Sequence, residues 1–312
     1  MSTTIKGTLV GPGVVKRWLR YPLEAVLLGI CFAIFAALPV EMASAIGGLL
    51  GRALGPRLPP TARAIRNLRL VFPDMSDAGR AEIVRGMWDN LGRTAAEFVH
   101  VNAIVAPGSG RVEIINGDIL RTQRRDGRAV ILAGAHLANW EISAALANLS
   151  GGEIVSVVRE QNNPLTQKMI EYLRRRAGGR QIQKGRRGAK EAMRALRGGA
   201  VLGLLFDQKM NDGAVTTLFG HQAMSPVAPA QLALRLACPL IPVRVERTAG
   251  ARFRITIYPP IAFAASGDRQ ADAGAVMDRL NEQLEAWIRE RPEDWMWLHR
   301  RWAEETYLQA GL

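Results

Sequence analysis

Between residues 112 and 258, short apolar runs of strand length alternate with longer segments of helical character. The runs are 112–115, 129–133, 154–158, 201–206, 241–246 and 253–258, and the segments 140–149, 165–177, 189–196 and 229–236 read as helices. The run Val201-Leu-Gly-Leu-Leu-Phe206 carries no polar residue, as a strand requires when both faces of its sheet are covered. A strand followed by a helix and a second strand closes into a parallel pair with the helix packed across it. The alternation therefore predicts an α/β fold: a central, mostly parallel sheet flanked by helices. Further helices are expected at 61–70, at 77–101, where Ile83, Met87, Leu91 and Ala95 recur at helical spacing, and at 275–289, where Leu280, Leu284, Trp287 and Ile288 share one side.

The N-terminal region has a different character. Residues 25–40 form a stretch of sixteen without a charge, and the segment continues apolar and glycine-rich to Gly51. A full membrane crossing needs roughly 20 apolar residues, so the length fits a helix that spans or only embeds. A signal peptide would end in an Ala-x-Ala site, and Ala43-Ser44-Ala45 fits that, but the basic residues Lys16, Arg17 and Arg20 come late for one. A buried core helix is the third reading. Basic residues stand on both sides, so charge gives no orientation. The expected division is an N-terminal extension over 1–20, an apolar membrane-anchor segment over 21–56 and an α/β domain over 57–312.

The net charge of +13, from 41 Lys and Arg against 28 Asp and Glu, calls for an anionic partner: nucleic acid, anionic lipid or an acidic protein. No recognised nucleic-acid module or base-stacking aromatic motif accompanies the charge, so nucleic acid is not the expected partner. The stretch 174–190 holds Arg174, Arg175, Arg176, Arg180, Lys184, Arg186, Arg187 and Lys190 and no acidic residue. It reads either as solvated helix surface or as a patch for phosphates or an acidic carrier protein, with Lys184 and Arg187 as candidates. The two cysteines, Cys31 and Cys238, and the four histidines show no metal-ligand spacing, so neither a metal nor a cofactor is expected.

In parallel sheets the working residues gather at the carboxyl ends of strands. His136 follows the run 129–133, and Asp207 follows the run 201–206. His136 and Glu141 lie five residues apart, too far round a helix to share a face, but they converge if His136 sits in a turn and Glu141 in the first helical turn. Asn139 is then a natural N-cap, and Glu141 suits the helix dipole. A carboxylate placed there orients an imidazole and leaves its other nitrogen to accept a proton from a hydroxyl. The bare spacing fits a structural role equally well, and Asp207 also reads as a cap or an ion-pair partner.

The segment Gly134-Ala-His-Leu-Ala-Asn-Trp-Glu141 resembles the His-x4-Asp/Glu signature of the glycerolipid and lipid A acyltransferases. Four more segments are similar to the lipid A late acyltransferases in particular: Arg66-Asn-Leu-Arg-Leu-Val-Phe-Pro73, Val158-Arg-Glu-Gln-Asn-Asn-Pro164, Asp207-Gln-Lys-x3-Gly213 and Arg291-Pro-Glu-Asp-Trp-Met-Trp-Leu-His-Arg-Arg-Trp302. The resemblance implies a glycerolipid-acyltransferase-like fold with an N-terminal anchor. It implies transfer of a fatty acyl chain from acyl carrier protein to a hydroxyl of a lipid A precursor in lipopolysaccharide biosynthesis. The setting would be the cytoplasmic side of the bacterial inner membrane, with no metal and no covalent acyl-enzyme. His136 would be the general base and Glu141 its orienting partner, with Arg159, Asn139, Asp207, Lys184 and Arg187 as substrate contacts. A thioester is already activated, so no serine or cysteine nucleophile is needed, and Arg159 is a candidate to meet the oxyanion. Other readings are a glycerophosphate or mannosylated inositol lipid acceptor, or a non-catalytic basic module on anionic membranes. His299 stands among Trp295, Trp297 and Trp302, a mixture that fits a membrane-interface belt or a packed core; neither it nor His100 or His221 is assigned to catalysis.

Overall fold

The apolar runs pair as the alternation requires. The computed structural model describes residues 16–151, 154–263 and 266–312, so most of the expected extension over 1–20 lies outside the described residues. In chain order the elements are α1 (Tyr21–Ala36), α2 (Val40–Leu54), α3 (Thr61–Val71), α4 (Asp77–Glu97), β1 (Val112–Ile115), α5 (Gly117–Gln123), β2 (Val130–Gly134), β3 (Ile154–Val158), α6 (Pro164–Arg176), β4 (Arg180–Gln183), α7 (Arg186–Arg197), β5 (Val201–Leu205), β6 (Ala214–Leu218), β7 (His221–Ser225), α8 (Ala228–Leu236), β8 (Leu240–Ala249), β9 (Arg252–Ile257), α9 (Arg269–Glu290) and α10 (Glu304–Gln309).

Seven strands form one sheet in the order β1-β9-β8-β2-β5-β3-β4. The five from β8 to β4 are parallel, and β9 turns back antiparallel on β8 and carries β1 with it. Strand β2 is central and apolar on both faces because both are covered. Its Ile131 and Ala133 join one core, with α7, α8, α9 and the C-terminal tryptophans, while Val130 and Leu132 join a second, with Ile142, Leu146 and Phe253. Trp295, Trp297 and Trp302 are at most 2% exposed, which decides for core packing over an interface belt.

Three strands and two short helices, α5 and α10, were not foreseen. Strand β4 is a short, polar edge strand, Arg-Gln-Ile-Gln. Strands β6 and β7 form a separate hairpin whose two turn residues, Phe219 and Gly220, both have positive φ. The helix expected over 77–101 ends at Glu97 and tightens into a 3-10 turn over Phe98–His100. The helix expected over 140–149 begins as a 3-10 segment, Trp140–Leu146.

Within the segment 21–56, Pro39 breaks the chain into two helices, since proline forces extended backbone on the residue before it and offers no N–H. No residue of α1 is buried, and Leu23, Val26, Leu27, Ile30 and Ile34 are each more than half exposed. Helix α2 instead seats its glycine side on α4. A Cβ placed on Gly47 or Gly51 would overlap the backbone of Gly92 and Trp88, so the two helices touch backbone to backbone. The outer side of α2 keeps Met42, Leu49, Leu50 and Leu54 exposed. The crossing predicts that Gly92→Val destabilises the fold by about 1–3 kcal/mol through overpacking. Thermal unfolding in detergent should show Tm falling by several degrees, whereas an unchanged Tm would mean that the helices are free to move apart.

Candidate active site

Strands β2 and β5 pair with Gly134 opposite Leu205, so their carboxyl ends lie side by side. His136 and Asp207 each stand two residues beyond that pair, and the sheet register brings them together. The His136 ring presents Nδ1 2.8 Å from Asp207 Oδ1, and the His136 backbone N–H donates to Asp207 Oδ2 at 2.9 Å. Trp295 Nε1 donates to the same Oδ2 at 2.8 Å. Asp207 has no exposed surface. Burial alone would raise its pKa, but the His136 imidazole, its hydrogen bonds and then His299 outweigh burial and hold the carboxyl well below the usual carboxylate range. In the neutral ring the hydrogen bond selects the tautomer: Nδ1–H donates to Asp207, which leaves Nε2 as the acceptor nitrogen.

Gln208, the residue after Asp207, sets its side-chain nitrogen 3.2 Å from His136 Nε2 and 3.4 Å from His299 Nε2. The two imidazoles stand 5.1 Å apart, and Trp140 packs against His136 at 5.0 Å. Burial, with the neighbouring His136, pushes the His299 pKa down to about 4 against the pull of Asp207. His299 is therefore a neutral imidazole near neutral pH.

The loop after β2 is clamped. Met296 N–H donates to His136 O at 3.1 Å, and Ala138 N–H donates to Asp294 O at 2.9 Å. Ala138 has φ of 46°, a region that costs a non-glycine residue roughly 1–2 kcal/mol. Its carbonyl accepts from Asn90 Nδ2 at 3.0 Å and from Thr94 Oγ1 at 3.2 Å, both on α4, which hold it there. Asn139 caps the next turn as expected, accepting from Glu141 N–H at 3.2 Å. Its amide donates to Glu97, which is itself buried and paired with Arg247.

Glu141 stands in the first helical turn behind the Asn139 cap, as expected, but its carboxylate pairs away from His136. Its carboxylate takes a two-pronged hydrogen bond from Arg174, at 2.5 and 3.0 Å, and one from Trp140 Nε1 at 3.2 Å. The carboxylate hydrogen-bonded to the His136 ring is therefore that of Asp207, while Glu141 is held by Arg174. The carboxyl end of β5 carried that signal in the sequence. Gln208 and His299 sat inside quoted motifs without being singled out for chemistry.

A cavity of about 1020 Å³ opens beside His136. Its polar part is lined by His136, Glu141, Arg159, Arg174, Lys184 and Gln208. Its apolar part runs between sheet and helices, past Phe98, Val101, Leu132, Leu146, Val243 and Val245. Of the expected substrate contacts, Arg159 and Lys184 reach the cavity, and among the described residues neither side chain has a partner. Asn139 and Asp207 are fully buried behind the loop, and Arg187 is exposed outside the cavity lining. The arrangement places an imidazole in the wall of a cavity lined by both polar and apolar side chains.

The family model described as bacterial lipid A biosynthesis acyltransferase matches residues 15–304. The chain is 28% identical over 272 residues to the lipid A biosynthesis myristoyltransferase of Escherichia coli strain K12, covering 84% of this chain and 81% of that protein. It is 25% identical over 244 residues to the lipid A biosynthesis lauroyltransferase of the same strain, covering 76% of each. It is also 27% identical over 182 residues to the phosphatidylinositol mannoside acyltransferase of Mycobacterium tuberculosis H37Rv, covering 56% of this chain and 55% of that protein.

The lowered pKa of His299 has a consequence for stability. Its value falls from 6.5 to about 4 on folding, so its contribution is full above 6.5 and is lost as the pH drops toward 4. Between pH 7 and pH 5 the protein should lose about 2 kcal/mol through this group. His299→Gln should remove that part of the slope in chemical denaturation, and a slope equal to that of the wild type would show that His299 is not held neutral by the fold.

Proposed function

The chain belongs to the bacterial lipid A biosynthesis acyltransferase family, and we propose that it moves a fatty acyl chain from acyl carrier protein to a hydroxyl of a lipid A precursor, with His136 as general base. The observation that carries this reading is the His136 ring, held through Nδ1 by the buried Asp207, in the wall of a cavity with polar and apolar lining. In the proposed reaction the acyl chain lies in the apolar pocket and the acceptor hydroxyl displaces Gln208 from Nε2. The hydroxyl oxygen attacks the thioester carbonyl while its proton passes to Nε2. The imidazolium is stabilised by the buried Asp207 carboxylate. The tetrahedral oxyanion has Arg159 and the freed Gln208 amide as donors. When it collapses, the C–S bond breaks and the thiolate leaves with the proton from His136. Glu141 and Arg174 hold each other and Trp140 in the cavity wall, which supports the His136 loop. Lys184 at the mouth, with Arg187 beyond it, suits the phosphates of the acceptor.

No step needs a metal or a cofactor. A mannosylated inositol lipid as acceptor is less well supported, because that similarity covers 56% of the chain against 84% for the lipid A myristoyltransferase. For location, the reading is the bacterial inner membrane with the site at its cytoplasmic side, anchored by the apolar helix that runs over Trp18–Ala36 with none of its residues buried.

His136→Ala should lower acyl transfer by about 10²–10⁴-fold in a purified assay with acyl carrier protein thioester and lipid A precursor, while circular dichroism stays unchanged. Transfer at near-normal rate would remove His136 from the chemistry. In cell fractionation the protein should stay with the membranes through a high-salt wash and leave with detergent. Release by salt alone would mean that charge, not the apolar helix, holds it there.

A further inference from the structure

Helix α7 carries Arg186, Arg187, Lys190, Arg194 and Arg197, and all five are exposed. At roughly 3.6 residues per turn these positions fall within about 100° of arc, a single cationic stripe. The opposite side, Gly188, Ala192 and Leu196, is buried against the sheet. The helix has one acidic residue, Glu191, and it lies beside the stripe, ion-paired with Arg180. Among the described residues, none of the five cations forms an ion pair or hydrogen bond through its side chain. The fold therefore leaves five like charges uncompensated along one line, an arrangement kept against their mutual repulsion.

The stripe is also placed. Its first residue, Arg186, lines the cavity, the inner side of the helix lines it as far as Met193, and the helix extends for about 18 Å. Right-handed crossovers put α6 and α7 on opposite faces of the sheet, since β4 lies at the edge and β5 two strands back. The exposed apolar helix α1 packs beside α6, and Asn163 at the start of α6 donates to Tyr21 O. A lipid surface that receives α1 thus meets the face of the molecule away from α7. A donor delivered by a soluble carrier must dock at the cavity mouth on the side that remains free.

From this geometry we infer that the part of the α7 stripe formed by Lys190, Arg194 and Arg197 is the docking surface for the acidic carrier protein that presents the acyl thioester. The inference rests on the proposed use of a carrier-borne donor. Docking by charge sets the encounter rate and register of the carrier and leaves the chemistry at His136 untouched.

The test compares two donors, the same acyl group on acyl carrier protein and on free pantetheine, using the full chain in detergent and the triple variant Lys190→Glu, Arg194→Glu, Arg197→Glu. The expected result is a KM for the carrier-borne donor raised about tenfold or more, with kcat and the KM for acyl-pantetheine within about twofold of wild type. The wild-type kcat/KM for the carrier-borne donor should also fall as salt is raised, and the variant's should not. Equal KM for the carrier-borne donor in variant and wild type overturns the docking surface. So does a variant that keeps that KM but loses binding to phosphatidylglycerol vesicles, which would assign the stripe to lipid. A wild type that uses acyl-pantetheine and not the carrier-borne donor overturns the donor reading itself, and one that uses neither overturns acyl transfer.

Discussion

The buried carboxylate of Asp207 is the point on which the site depends. It accepts from the His136 backbone, the His136 ring and the Trp295 indole, and these donors come from two parts of the chain that are distant from it and from each other. A buried charge is tolerated only when its hydrogen-bonding capacity is met, so each partner is required by the cost of leaving the others unpaired. The C-terminal segment is thereby drawn over the carboxyl edge of the sheet, where Met296 and Asp294 pair with the backbone of the histidine loop. The tryptophans that follow fill the core beneath it. Catalytic geometry and C-terminal packing are one structure.

The sheet itself was legible because both faces of its central strands are covered. That makes β2 and β5 continuously apolar, and such runs stand out in any reading of the sequence. The edge strand β4 and the hairpin β6–β7 were not legible, since Arg180-Gln-Ile-Gln183 and the alternating Ala214–Leu218 answer to neighbours far away in sequence. Thr216, for example, is buried because Asn281 on α9 donates to it at 3.0 Å.

The site was half legible for the same reason. The ends of two strands marked His136 and Asp207, but only the sheet order puts β5 beside β2. Without that adjacency the carboxylate nearest in sequence, Glu141, was the natural partner for His136. The structure gives Glu141 to Arg174, a residue that the sequence showed only as part of a basic run. Local spacing found the histidine and the cap that follows it, while the long-range register chose the carboxylate beside the ring.

In the proposed mechanism Asp207, rather than Glu141, is the carboxylate that holds the His136 ring. The direct measurement is a comparison of kcat for Asp207→Asn and Glu141→Gln with saturating donor and acceptor, each in protein shown to be folded. Asp207→Asn is predicted to lower kcat by about 10²-fold or more with KM near that of wild type, and Glu141→Gln to lower it by far less. The reverse order, with Asp207→Asn near wild type and Glu141→Gln inactive, would contradict the account.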